Sequence, residues 1–126
     1  MPFGGNDWLA LTQETTLESD LPICDPHHHF YFRRLDRIPY HNYHIEDLYG
    51  DLNSGHNVVS TVFVEARAMY RPDGPEEMRS LGEVEFVQGM ASAEANGLYG
   101  TARPAAAIVG HSNLNLQERV EPVLHA

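Results

Sequence analysis

The run Val58-Val59-Ser60-Thr61-Val62-Phe63-Val64 constrains this chain more than any other feature of its sequence. β-branched side chains pack well on a pleated surface, and near-continuous apolarity predicts a strand buried on both faces. Strands of that kind belong to parallel sheets, whose crossovers need helices between the strands. The flanking segments meet this need. Upstream, Ile45, Leu48, Tyr49 and Leu52 fall at helical spacing, and Asn53-Ser54-Gly55 ends that helix. Downstream, Arg71-Pro72-Asp73-Gly74-Pro75 reads as a loop. Val84, Val87, Met90 and Ala91 then line one stripe of a second helix, closed by Asn96-Gly97. Leu21-Pro22-Ile23-Cys24 opens an earlier strand, and Ala105 to Val109 reads as a later one. Leu116, Val120, Val123 and Leu124 predict a C-terminal helix interrupted by Pro122.

Strand and helix alternate along the whole chain, which predicts an α/β fold of parallel βα units. With strands opening at Leu21, Val58 and Ala105, 126 residues hold about three such units, whereas a complete (β/α)8 barrel takes ~250 residues. The chain is expected to be one domain, either a small open α/β domain or the front of a larger barrel. Residues 1–20 read as a polar arm that only Trp8, Leu9, Leu11 and Leu17 could anchor, and residues 21–126 as the α/β body. Arg33 to His44 shows no clean period and is expected to be loop.

Charge narrows the function classes. The chain carries 18 acidic against 8 basic residues, a net charge of −10. It lacks the basic surface that nucleic acid or an anionic membrane would require. Cys24 is the only cysteine, so neither an internal disulfide nor a cysteine-rich zinc module is expected, and its place in an apolar run predicts a buried small hydrophobe. The first twenty residues hold no basic segment followed by an apolar core, and nothing approaches the ~18 apolar residues of a membrane span. A cytoplasmic protein is therefore expected. No glycine-rich phosphate loop is present. Histidine is in excess, with 8 in so short a chain.

Three of those histidines stand together in Asp25-Pro26-His27-His28-His29. Alternation across a strand predicts Asp25, His27 and His29 on one face and His28 on the other. Two imidazoles two residues apart can converge on a metal through neutral nitrogens, and the Asp25 carboxylate could orient one of them. The same residues could equally be a polar strand end. Pro26 offers no N–H to a ladder, so pairing should fail near it. The other two strands also end in titratable residues, Glu65 after Val64 and His111 after Val109-Gly110. Ligands of parallel α/β sheets gather at the carboxyl ends of strands. Glu65 could instead pair with Arg67 or Arg103, and His111 could be a turn histidine. Arg67, Tyr70 and Arg71 follow the second strand and could meet an anionic substrate. Tyr40, His41, Tyr43 and His44 form an aromatic-histidine patch without ligand spacing, and His56 sits in a turn.

Leu21-Pro22-Ile23-Cys24-Asp25-Pro26-His27-His28-His29-Phe30 resembles the first strand of the amidohydrolase superfamily, in its amidohydrolase-related branch of metal-dependent TIM-barrel hydrolases that includes lactonases. The likeness continues through Gly55 to Val59, Phe63 to Ala66, Tyr70 to Glu76, Gly82 to Val87 and Ile108 to His111. It implies a distorted (β/α)8 barrel, of which this chain would supply about three units. It also implies that His27 and His29 hold a divalent metal, zinc first, with manganese or iron as alternatives. The metal would polarise a carbonyl and activate water for attack on a lactone, amide or ester of a small-molecule substrate. Some lactonases of the branch work without a metal. Tyr31-Phe32-Arg33 departs from the aromatic-acid pair common after the His cluster. The histidines and aspartate that such enzymes draw from later strands have no counterpart here, so the chain by itself is expected to be inactive. It is also expected to self-associate through an exposed sheet edge. The alternative is a non-catalytic remnant or small α/β binding module that keeps a histidine cluster.

Overall fold

The computed structural model describes residues 6–32 and 42–126. Along the chain run α1 (Asn6–Leu9), β1 (Pro22–His28), β2 (Tyr31–Phe32), β3 (Asn42–Tyr43), α2 (Ile45–Leu52), β4 (Asn57–Val64), α3 (Leu81–Ala93), β5 (Arg103–Val109) and α4 (Glu121–Leu124). β4 is the organising strand: β1 pairs with one edge and β5 with the other, both parallel, giving the order β1-β4-β5. The fold is α/β with a three-stranded parallel sheet. α2 makes the crossover from β1 to β4 and α3 the one from β4 to β5, the arrangement that parallel pairing demands.

The core lies between one face of this sheet and the two crossover helices. Phe30, Phe63 and Ala105 meet Ile45, Leu48, Tyr49 and Leu52 of α2 and Val87 of α3. Phe30 and Phe63 stack at 5.8 Å and are fully buried. The expectation of a central strand buried on both faces is met on one face only. Phe63 pairs with Ile108 towards the core, whereas Val64 pairs with Val109, which is 50% exposed. Val59 is exposed as well. Among the described residues no helix is long and apolar enough to cross a membrane.

Several local expectations change for physical reasons. Trp8, Leu9, Leu11 and Leu17 are all exposed, so they do not anchor the arm. Cys24 is exposed rather than buried. Within the stretch expected to be loop, Asn42 and Tyr43 form a strand antiparallel to Tyr31 and Phe32, while residues 33–41, with Tyr40 and His41, lie outside the described residues. The C-terminal helix divides. A 3-10 turn over Leu114–Val120 breaks at Gln117 (φ 54), and Pro122 sits in the first turn of α4. A proline there lacks only an N–H that the first turn leaves unpaired, so it starts this helix instead of interrupting one.

Close approach of α3 to the loop after β4 depends on Gly82. A Cβ at that position would stand 2.5 Å from the Met69 carbonyl oxygen and 2.6 Å from the Arg71 nitrogen. Both neighbours are backbone and cannot rotate away. Gly82→Ala should therefore destabilise the fold by about 1–3 kcal/mol, although alanine is the better helix former. Chemical denaturation of the two proteins measures this. An unchanged midpoint would show that the loop does not pack against α3 in this way.

Candidate functional site

β1 loses register around Pro26. Asp25 is level with Thr61 and His28 with Phe63, so β1 holds one residue more than β4 between these pairs. Proline without an N–H explains the lapse, and the His27 N–H donates instead to Asp25 Oδ1 at 3.1 Å. The extra residue inverts the facing of the rest of the strand. Asp25 shares a face with His28, not with His27 and His29 as simple alternation predicts. His28 turns inward against Phe30 and Phe63, at ring separations of 4.9 and 5.8 Å. Its two nitrogens are buried without a hydrogen-bond partner, and burial holds its pKa below 6.5.

His27 and His29 come together at the carboxyl end of the sheet, with ring centroids 4.9 Å apart and planes at 86°. His29 Nδ1 lies 2.8 Å from the Val64 carbonyl oxygen, just beyond the last β1–β4 pair. A carbonyl only accepts, so Nδ1 carries the proton and the neutral ring keeps its lone pair on Nε2. Histidines that bind metals are oriented in this way, one nitrogen tied to a carbonyl and the other presented.

Glu65 immediately follows β4, with its N–H donating to the Val109 carbonyl at 2.9 Å. Its Oε2 is buried and without a partner, and no ion pair joins it to Arg67 or Arg103 among the described residues. Glu65 and His29 line one shallow cavity of about 260 Å³ together with Ala66 and Arg67. His111 does not join them there. It lines a separate cavity with Tyr70, Ser80 and Arg119. Among the described residues no three His, Cys, Asp or Glu side chains converge as a metal-holding group. Of the three candidate substrate contacts, Arg67 borders the His29 cavity, Tyr70 lines the other, and Arg71 is engaged by Glu85 in an ion pair on the surface.

Glu83 shapes this end of the sheet, and no sequence motif marks it. It is 1% exposed in the first turn of α3. Its Oε1 accepts the N–H of Ala66 at 2.9 Å and of Ala68 at 2.8 Å. These two bonds pin a loop in which Arg67 and Met69 both take left-handed backbone (φ 57 and 56), a conformation that side chains disfavour. Burial raises the Glu83 pKa above its usual 4.5 and the Glu65 charge adds to this, while the two N–H bonds and His29 oppose it. The one available signal was an acidic residue on the inward stripe of a helix, next to Val84 and Val87.

Compared with known proteins, the chain matches no family model, no curated protein and no solved structure.

Glu83→Ala strands two backbone donors and should cost roughly 1–3 kcal/mol for each. Glu83→Gln keeps an acceptor and should cost far less. Glu83 binds its proton more tightly in the folded chain, so its contribution is fully present below pH 4.5 and is lost as pH rises through the raised folded value. Denaturation midpoints between pH 4 and 8 should therefore fall less steeply for Glu83→Gln than for wild type. Parallel curves would mean that Glu83 titrates as it does in the unfolded chain.

Proposed function

We infer that the chain forms the front of a metal-dependent hydrolase barrel, with His27 and His29 as its metal-holding pair. What carries this reading is the His29 imidazole, held by Val64 through Nδ1 at the carboxyl end of a parallel sheet, beside His27 and with Nε2 left as its lone-pair nitrogen. The donor set suits zinc, and manganese or iron would accept the same ligands. Glu65, with a buried oxygen still unpartnered, follows the end of the neighbouring strand and borders the same cavity as His29. A divalent ion held there would polarise a carbonyl and activate water for hydrolysis of a lactone, amide or ester.

The chain's own residues divide the remaining work. Val64 orients His29, and Glu83 holds the loop that carries Arg67 and Tyr70 past the strand end. Arg67 borders the cavity and supplies a positive charge that can attract an anionic substrate. His28 serves differently, as an uncharged ring packed on Phe30 and Phe63. Two imidazoles and one carboxylate from three βα units make a weak site with an open pocket. The chain alone is therefore proposed to bind metal without turning over substrate, and to self-associate through the outer edges of β1 and β5, which no strand pairs among the described residues.

Zinc titration followed by the imidazole resonances tests the assignment without relying on activity. Wild-type chain should bind with His27 and His29 signals moving together. The His27→Ala, His29→Ala double variant should lose the site, and Glu65→Gln should weaken it by several-fold. Zinc binding unchanged in the double variant would overturn the reading. Hydrolysis of a lactone panel by wild type, abolished in the double variant, would overturn the claim that three units are inactive alone.

A further inference from the structure

The two outer edges of the sheet are not equivalent. On β1, Pro22 and Pro26 have no N–H to offer, and the His27 N–H is taken by Asp25. A strand so short of donors is a poor template for another. β5 differs. The Val109 carbonyl accepts from Glu65 and the Ala105 N–H donates to the Thr61 hydroxyl, so both residues turn their backbone towards β4. Backbone groups alternate sides along a strand, which aims the N–H and C=O of Ala106 and Ile108 outwards. No backbone partner meets them on that side among the described residues. The side chains leave the edge open, since Ala106 and Ala107 are small and exposed. On the helix side, a cavity of about 740 Å³ separates the start of β5 from the end of α3. It is lined by Ala91, Ser92, Ala95, Ala105 and Ala106, among others, which leave room for an incoming strand.

Charge and symmetry select the partner. The chain carries a net charge of −10, yet β5 holds no acidic residue and its one charged side chain is Arg103. Two copies of an acidic chain repel least where such a surface meets itself. Identical edges close by antiparallel pairing about a two-fold axis, and the donor-poor β1 edges then discourage further addition. We propose that two copies of this chain pair antiparallel along β5, with Ala106 of each opposite Ile108 of the other. The outward N–H and C=O groups then satisfy one another, and the sheet runs on as β1-β4-β5-β5-β4-β1. Ala107 faces its own copy across the axis. This pairing rests on the self-association reading above, which it assigns chiefly to β5, and not on the histidine pair.

Sedimentation of the metal-free full chain over a wide concentration range tests this, together with oxidation of a cysteine placed at the axis. Wild type should sediment as a monomer–dimer equilibrium. Ala107→Lys and Ala107→Glu each set like charges opposite one another and should raise the dimer dissociation constant about tenfold or more. An equimolar mixture of the two should regain the dimer, a gain that misfolding of either variant cannot produce. Residues paired as Ala107 is proposed to be stand about 4.5 Å apart between Cα atoms, within the ~4.4–6.8 Å that a disulfide spans. The Cys24→Ala, Ala107→Cys double variant should therefore form a covalent dimer in oxidised glutathione. Wild type, whose exposed Cys24 reports on β1, should not. The proposal is overturned if wild type stays monomeric at every concentration or if the mixed charge variants do. It is equally overturned if wild type cross-links through Cys24 and the double variant does not cross-link. Zinc binding is measured on the same wild-type samples. Its absence from an intact dimer would remove the hydrolase reading and leave the pairing, and its presence in a strict monomer would do the reverse.

Discussion

The hydrogen bond from His29 to the Val64 carbonyl is the contact on which the chemistry proposed for this chain depends. β1 stops pairing with β4 after His28, and the next imidazole takes over the role of a ladder donor. A backbone carbonyl thus receives its partner and a histidine receives its tautomer in the same bond. Without the parallel register of β1 on β4, His29 would have no fixed direction. With it, the ring is held at the end of the sheet where parallel folds place their ligands.

Glu83 makes the second constraint possible. The loop leaving β4 contains two non-glycine residues in left-handed backbone, which a free loop would relax. A buried carboxylate holding two of its N–H groups offsets that strain, and Gly82 lets α3 approach closely enough for the bonds to form. Placement of Arg67 and Tyr70 depends on this clamp. Each lines a different cavity, so the loop links the His29 end to the arginine-lined cavity by a short run of backbone.

Much of the fold was legible in residue pattern, because hydrophobic periodicity responds to burial. α2 spans Ile45–Leu52 as its apolar spacing predicts, and β4 starts one residue before the predicted run. Pro26 announced the lapse in pairing through its missing N–H. What Pro26 could not announce was the direction of the slip, which moves Asp25 away from His27. Ala105 is another such case. Alanine carries no left-handed preference, yet its φ is 45, with its N–H taken by the buried Thr61 hydroxyl at 2.9 Å. The inward place of Glu83 on its helix could be read from pattern, but the backbone it holds and the pairing of Tyr31 with Tyr43 involve partners distant in sequence, which local pattern does not record. His111 and Glu65 were both legible as strand-end residues, but the loops that send them to different cavities were not.

Everything proposed for the histidine pair requires that Val64 fix His29 with its Nε2 lone pair free. Long-range proton–nitrogen correlation spectra of the imidazoles in metal-free protein, recorded at pH 8, test this most directly. A single His29 tautomer is expected, protonated at Nδ1 and bare at Nε2, beside an exposed His56 that averages between forms. A His29 ring protonated at Nε2, or one averaging as His56 does, would contradict it.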